Sequence, residues 1–191
     1  MDKRKFLLAG ASAAAASLLA AGCTTTGPGS GDPAARRKSI DANVDRALGN
    51  IFTQVAGSEE LVKSARGVLV FPSVVSAGFI VGGATGEGAL RQAGNTAGYF
   101  RTTSAMFGWL AGAQSTAVAY LFMAQDALDK FNASKGWQIG VDAGVTLVNV
   151  GANARVDSRS VQQPIVAIVL TNAGLMANVS LDGTRVTRID I

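Results

Sequence analysis

The period of the apolar residues changes at Gly67, and this change limits the folds open to the chain. Between Ile40 and Val55, apolar residues recur every three or four positions, as they do along one face of an α-helix. After Gly67 they stand in short runs or at alternate positions, which is typical of β-strands. The helical stripe consists of Ile40, Val44, Ala47, Leu48, Ile51, Phe52 and Val55. The sequence therefore predicts helices first and a sheet afterwards.

Local signals set the boundaries of the helices. Asp32 supplies an N-cap carboxylate and Pro33 the first residue of a long helix, which Gly57 ends. A second, short helix begins at Ser58, has two glutamates in its first turn and ends before Gly67. The Ala, Leu, Asp and Lys content of residues 124–131 predicts a third short helix.

Strands are predicted over segments bounded by glycine, proline or turn residues. The alternation is cleanest from Trp137 to Leu147, and Asp182-Gly183 is a favoured two-residue hairpin turn. The predicted strands are Val68–Phe71, which stops at Pro72, Val74–Val81, Thr96–Thr103, two within Phe107–Met123 divided near Ala113–Ser115, Trp137–Leu147, Ile165–Leu170, Leu175–Leu181 and Thr184–Ile191.

This order of elements predicts an α+β domain. Many of the 23 glycines lie inside strand patterns, where glycine relieves crowding at bulges and barrel corners. We therefore expect N-terminal helices followed by a strongly bent or barrel-like antiparallel β-sheet, with one further short helix.

The first 22 residues have the pattern of a signal peptide. Asp2-Lys3-Arg4-Lys5 is a cationic start, and Phe6 to Ala21 is an apolar run of small residues. A permanent transmembrane helix needs about 20 consecutive apolar residues, so this run is interpreted as transient. Residues 3–8 also resemble a twin-arginine signal with Lys in place of the first Arg, so Sec and twin-arginine export both stay open.

Leu18 to Cys23 resembles a lipobox, in which a peptidase cuts before an acylated cysteine. Ala20 departs from the motif, where Leu is commonest. We expect Cys23 to carry acyl chains such as palmitate, with residues 23–31 as a flexible lipidated tether and residues 32–191 as the domain. The residue after the cysteine is Thr24, whereas Asp at this position commonly retains lipoproteins at the inner membrane. The sequence therefore favours an exported protein anchored at the outer membrane. An ordinary free thiol in a tail is the alternative.

The sequence contains few of the residues and motifs that enzymes commonly use for catalysis. The chain has no histidine and one cysteine, so it lacks the commonest general base and zinc ligand. Residues 78–88 are glycine-rich but match neither a P-loop nor a dinucleotide fingerprint. The carboxylates considered, Glu87, Asp126, Asp129 and Asp142, are interpreted as solvated surface groups. We predict no enzyme activity, no metal and no cofactor.

Basic residues are concentrated between Pro33 and Arg66, a segment that contains six basic and four acidic residues. Removal of residues 1–22 lowers the net charge from +4 to +2, so this segment carries the whole remaining excess. Cations in the first turns of a helix oppose its macrodipole, and an anionic partner offsets that cost. The candidate lipid-binding residues are Arg36, Arg37, Lys38, Lys63 and Arg66. The alternative is that the basic turn only solubilises the end of the tether; nucleic acid is excluded because the excess is small and the protein is exported.

The segment from Phe71 to Gly83 resembles the SYLF domain, also called the Ysc84 or DUF500 family. The resemblance spans roughly residues 41–191. Its further motifs are Gly86-Glu87-Gly88, Gly112-Ala113-Gln114, Leu121-Phe122-Met123, Phe131 and Asn172-Ala173-Gly174-Leu175. It implies a membrane-binding module that recognises phosphoinositide-like, acidic head groups. Actin binding, known for some members, is not carried over, because no actin-binding motif matches residues here.

The leading hypothesis is a membrane-anchored bacterial lipoprotein whose SYLF-like domain binds anionic phospholipids. The alternative is a structural or protein-interaction envelope lipoprotein without specific lipid recognition, and no protein partner is identified. A third interpretation, an integral outer-membrane barrel, draws on the alternation from Trp137 to Leu147. The apolar run from Ile165 to Leu170 and the absence of aromatic girdles argue against it.

Overall fold

The computed structural model describes residues 32–78, 81–107, 112–148, 163–171, 174–175, 181 and 183–191. The elements below all belong to the compact unit Pro33–Ile191. Within the described ranges, no helix is long and apolar enough to cross a bilayer.

Three helices form at the predicted positions. Helix α1 is Pro33–Gln54, α2 is Ser58–Ser64 and α3 is Gln125–Ala133. Gly57 takes a left-handed conformation with φ of 84° at the start of α2, which glycine adopts without steric cost. One face of α1 is buried against the sheet through Ile40, Val44, Ala47 and Ile51. The predicted helical stripe is confirmed.

The strands form a curled, mixed sheet in the order β5-β9-β3-β2-β1-β4-β7-β6, with β8 paired to β7. Their bounds are β1 Gly67–Gly78, β2 Val81–Gln92, β3 Asn95–Phe107, β4 Gly112–Phe122, β5 Trp137–Gln138, β6 Thr146–Leu147, β7 Ile165–Thr171, β8 Gly174–Leu175 and β9 Arg185–Ile189. The α+β class is confirmed. The strongly bent sheet is confirmed as well, and among the described strand pairs only β6 with β7 departs from the antiparallel arrangement.

Both faces of the sheet carry a hydrophobic core. Helices α1 and α2 cover one face, where they pack on residues such as Val70 and Leu121. Helix α3 covers the other, and its Phe131 ring lies 5.0 Å from the rings of Phe100 and Phe122. Strand β7 contributes to both cores. A strand that is buried on both faces has no polar positions to alternate, which explains the wholly apolar run from Ile165 to Leu170.

A β-bulge lets strand β1 pass through Pro72. The register of β1 with β4 moves from Phe71↔Val118 to Val74↔Thr116, so Pro72 and Ser73 together face one residue. The missing N–H of proline is tolerated at a bulge. The predicted strand end at Pro72 is therefore wrong, and the predicted strand Val74–Val81 instead supplies the second half of β1 and the first residue of β2.

Glycines of β2 make room for this bulge. A Cβ built on Gly86 would lie 2.5 Å from the carbonyl oxygen of Ser73, and one on Gly88 would lie 2.8 Å from Cδ1 of Phe71. No side chain fits at those separations. Glycine is needed at these two positions because β1 approaches them closely, as the glycine content predicts.

Two other strand predictions are wrong. The predicted division near Ala113–Ser115 is wrong, since β4 runs through it without a break from Gly112 to Phe122. The alternating run from Trp137 to Leu147 is not one strand, because the chain turns after β5. The turn is closed by the Gln138 N–H, which donates to the Asp142 carboxylate at 2.6 Å, and by the left-handed Gly140. Most of the predicted strand Leu175–Leu181, and Asp182 of the hairpin turn, lie outside the described residues.

Candidate lipid-binding site

Arg36 in α1 forms an ion pair with Glu87 in the middle of β2. Its Nε donates to Oε2 at 3.2 Å, and its terminal Nη2 donates to Oε1. Arg101 of β3 stands opposite Glu87 in the sheet register and donates to Oε1 at 2.8 Å. One carboxylate therefore receives hydrogen bonds from two arginines, and the cluster keeps one net positive charge.

Glu87 is half-buried, with 24% of its side chain exposed. Burial raises the pKa of its carboxyl, but the hydrogen bonds and charges of Arg36 and Arg101 outweigh burial and hold the pKa below the ordinary value of 4.5. The interpretation of Glu87 as a solvated surface group is wrong. It anchors the start of α1 to the sheet.

Arg37 points toward the C-terminal strand, where its guanidinium donates to the carbonyl oxygen of Ile191. Arg37 and Arg188 of β9 both line a shallow cleft of about 450 Å³, together with Tyr99 and Asp190. The Arg188 guanidinium lies 5.7 Å from the Phe100 ring centroid and donates to the carbonyl oxygen of Ala97 at 3.2 Å. A second pair of cations thus lies beside the first turns of α1.

The other three predicted residues are exposed. Lys38 is exposed on α1. Lys63 is 71% exposed and its Nζ lies 2.7 Å from Oε1 of Glu59; the hydrogen bond that Lys63 donates to Glu59 raises the pKa of Lys63. Arg66 is exposed, and its backbone N–H donates to the carbonyl oxygen of Phe122.

The length of α1 divides the five candidates into two groups. A helix of 22 residues is about 33 Å long. Arg36, Arg37 and Lys38 lie in its first turns, whereas Lys63 and Arg66 follow its other end. The structure therefore brings Arg36 and Arg37 together with Arg101 and Arg188, and it does not bring Lys63 and Arg66 to them.

Arg101 and Arg188 are not among the residues predicted from the sequence. Arg101 is 14 residues from Glu87 in the chain, and only the β2–β3 register places the two side by side. Arg188 reaches the site because β9 pairs with β3. Strand pairing between distant segments leaves no local pattern, so neither residue has a signal within its own segment.

The remaining carboxylates have structural contacts. Asp41 accepts hydrogen bonds from Tyr99 and Thr96, both at 2.8 Å, and joins α1 to β3. Asp129 accepts from Gln125 at 2.8 Å, and Asp126 lies 3.6 Å from Lys130. Among the residues that the structure describes, no group of carboxylates could hold a metal ion.

Cys23, with the predicted signal peptide and tether, lies outside the described residues. Comparison with known proteins adds one match. The family model described as "Ysc84: Las17-binding protein actin regulator" matches residues 103–190, which include β4, α3, β7 and β9. No curated protein matches the chain.

Proposed function

Since the chain belongs to the Ysc84 (SYLF) family, a family of binding domains, we propose that it is an exported bacterial lipoprotein that binds acidic phospholipid head groups next to its own acyl anchor. Cys23 carries the anchor in this proposal, and the outer membrane is its destination. The Arg36–Lys38 turn and its neighbours Arg101 and Arg188 form the lipid-facing surface.

The observation that carries the proposal is the distance along the chain from Cys23 to the basic turn. Helix α1 begins at Pro33, ten residues after Cys23. Ten residues span at most about 35 Å. An acylated Cys23 therefore holds the start of α1 close to a bilayer, and Arg36, Arg37 and Lys38 are among the first folded residues to meet it.

The anchor also explains how a small excess of positive charge suffices for binding to an anionic membrane. Each basic residue near an anionic surface contributes about 1 kcal/mol, and the attraction decays within a Debye length of about 8 Å at physiological salt. Such contacts are weak for a free protein. A short tether raises the effective concentration of the surface at the membrane, so a few cations are enough to orient the domain.

A protein-binding role is the alternative, and the family description favours it because it names Las17 binding and actin regulation. In that case the exposed cations recognise an acidic protein surface in the envelope instead of lipid. Vesicle binding by the unacylated domain separates the two functions.

The experimental test reverses the charge of three lysines, of which Lys63 and Lys130 form a matched pair in similar surroundings. Lys63 on α2 and Lys130 on α3 are 71% and 77% exposed, and each pairs with a carboxylate one helical turn earlier. Flotation of residues 32–191 with phosphatidylglycerol or phosphatidylcholine vesicles measures binding. Lys38→Glu changes the charge by two units, so we expect it to weaken binding to the anionic vesicles about 30-fold. Lys63→Glu should weaken binding less, and Lys130→Glu should leave it unchanged. Equal binding to both vesicle types by the parent domain would refute recognition of acidic head groups, and binding to neither would refute the lipid-binding function.

Substitution of Arg36 is a poor first test. Arg36→Glu would place two carboxylates at the former ion pair with Glu87, and a loss of binding would then also report a loss of stability. Lys38 is exposed, which makes its charge the cleaner variable.

A further inference from the structure

A polar groove runs between α1 and the sheet, away from the first turns of the helix. It has a volume of about 430 Å³, within the usual range for small-molecule sites. On the helix side it is lined by Asn43, Arg46, Asn50 and Gln54. Their spacing of three and four residues places these four side chains along one face of α1.

The bulge in β1 shapes the sheet side of the groove. Pro72 and Ser73, the two bulged residues, both line it, and so does Ser115 of β4. The hydroxyls of Ser73 and Ser115 lie 2.8 Å apart and share a hydrogen bond. Bulges commonly re-aim side chains next to functional sites. Here the bulge adds hydroxyl groups opposite the amides of the helix.

Arg46 is exposed on α1 and, like Arg37, forms no ion pair with a described carboxylate. Arg36, Arg91 and Arg101 each lie within 4 Å of a carboxylate. Arg46 donates to Oδ1 of Asn43 at 2.9 Å, and no described carboxylate forms an ion pair with it. None of the residues that line the groove is acidic. A guanidinium carries five N–H donors, so Arg46 retains donors for an anion.

We infer that this groove binds a phosphorylated polyol, with Arg46 on the phosphate and the amides and hydroxyls on the polyol. Arginine makes strong, charge-assisted hydrogen bonds to phosphate oxygens, while Asn, Gln and Ser side chains both donate to and accept from hydroxyl groups. The head group of phosphatidylglycerol and free glycerol 1-phosphate share this chemistry. The lipid source rests on the proposed function; the chemistry of the groove does not.

Two variants test the groove by different means. Arg46→Gln removes the charge, and Ser115→Leu fills the groove while every charge stays in place. Thr103→Leu is the matched control, because Thr103 is also an exposed hydroxyl residue of the sheet and lies outside the groove. The full chain is purified from membranes in detergent. Binding of glycerol 1-phosphate is measured by calorimetry, and binding of phosphatidylglycerol by native mass spectrometry.

We expect Arg46→Gln to weaken binding of both ligands about tenfold, the usual loss for a hydrogen bond to a charged group. Ser115→Leu should weaken binding of both ligands by filling the groove, and Thr103→Leu should leave binding unchanged. If only glycerol 1-phosphate follows this order, the groove serves a soluble polyol phosphate. If neither ligand responds to either variant, the inference is overturned. Lys38 lies outside the groove, so the effect of Lys38→Glu in flotation does not depend on the groove. If the groove variants have no effect, the proposed lipid-binding function still stands. If Lys38→Glu has no effect, the inferred ligand of the groove still stands.

Discussion

The guanidinium of Arg36 contacts both carboxylate oxygens of Glu87 and so ties the first turns of α1 to the middle of β2. Cations at a helix start oppose the helix dipole, and this carboxylate offsets part of that cost inside the protein. The basic turn is therefore partly a structural feature. Lys38 lies beside this turn and is exposed, so its positive charge is accessible to a binding partner.

Glu87→Gln should lower stability in a pH-dependent way. Because the folded-state pKa of Glu87 lies below 4.5, its contribution is complete above pH 4.5 and is lost as the pH falls through the folded-state pKa. We expect the variant to be less stable at pH 7 by about 1 kcal/mol, and the difference to shrink near pH 3. Urea unfolding measures both, with Glu60→Gln as an exposed control. A difference independent of pH would contradict the assigned ion pair.

The helices and the most buried strand were predictable because their signals are local. The stripe from Ile40 to Val55 reflects one helix on one core, and the apolar run of β7 reflects burial on both faces. Both patterns are set by burial alone. They therefore appear in the sequence without knowledge of which strands pair.

The errors arise where tertiary contacts override a local signal. Pro72 lies inside β1 because a bulge absorbs it. The run from Trp137 to Leu147 alternates, yet Asp142 and Gly140 turn the chain, and Val141 is 74% exposed. For the site, the basic turn was visible in the sequence, whereas Arg101 and Arg188 depend on the pairing of β3 with β2 and β9.

Gly88→Ala should destabilise the domain by about 1–3 kcal/mol, because its Cβ would overlap the β1 bulge at Val70 and Phe71. Gly83→Ala is the control within the same strand, since the nearest atom to its Cβ is the Ser104 carbonyl oxygen at 3.6 Å. Urea midpoints of the two variants measure the difference. Equal midpoints would mean that the close approach at Gly88 is absent in solution.

Gly49→Ala should stabilise the domain. Gly49 lies inside α1, and a Cβ there meets no atom within 4 Å. Alanine lowers the entropy of the unfolded chain and favours the helix by about 0.5–1 kcal/mol. The measurement is the thermal midpoint by circular dichroism at 222 nm. A lower midpoint would show that the space around Gly49 is occupied.

Cys23→Ser should abolish acylation and signal peptide cleavage. The lipobox-like run Leu18–Cys23 and the glycine-rich segment after it motivate this expectation. Mass spectrometry of the native protein should find acyl chains on an N-terminal Cys23, and the variant should retain residues 1–22. An unmodified Cys23 in the native protein, or cleavage at another bond, would remove the membrane anchor from the proposed function.

Glu87→Gln should also strengthen binding to anionic vesicles. The substitution removes one negative charge beside Arg36 and Arg101, and one additional positive charge near an anionic surface is worth about 1 kcal/mol, or about fivefold in affinity. Asp129→Asn makes the same charge change on α3, where Asp129 is exposed and contacts Gln125, and should have no effect. Raising salt from about 0.05 to 0.5 M shortens the Debye length about threefold, so the gain should disappear in flotation at high salt. If Glu87→Gln and Asp129→Asn bind equally at low salt, the start of α1 does not face the lipid.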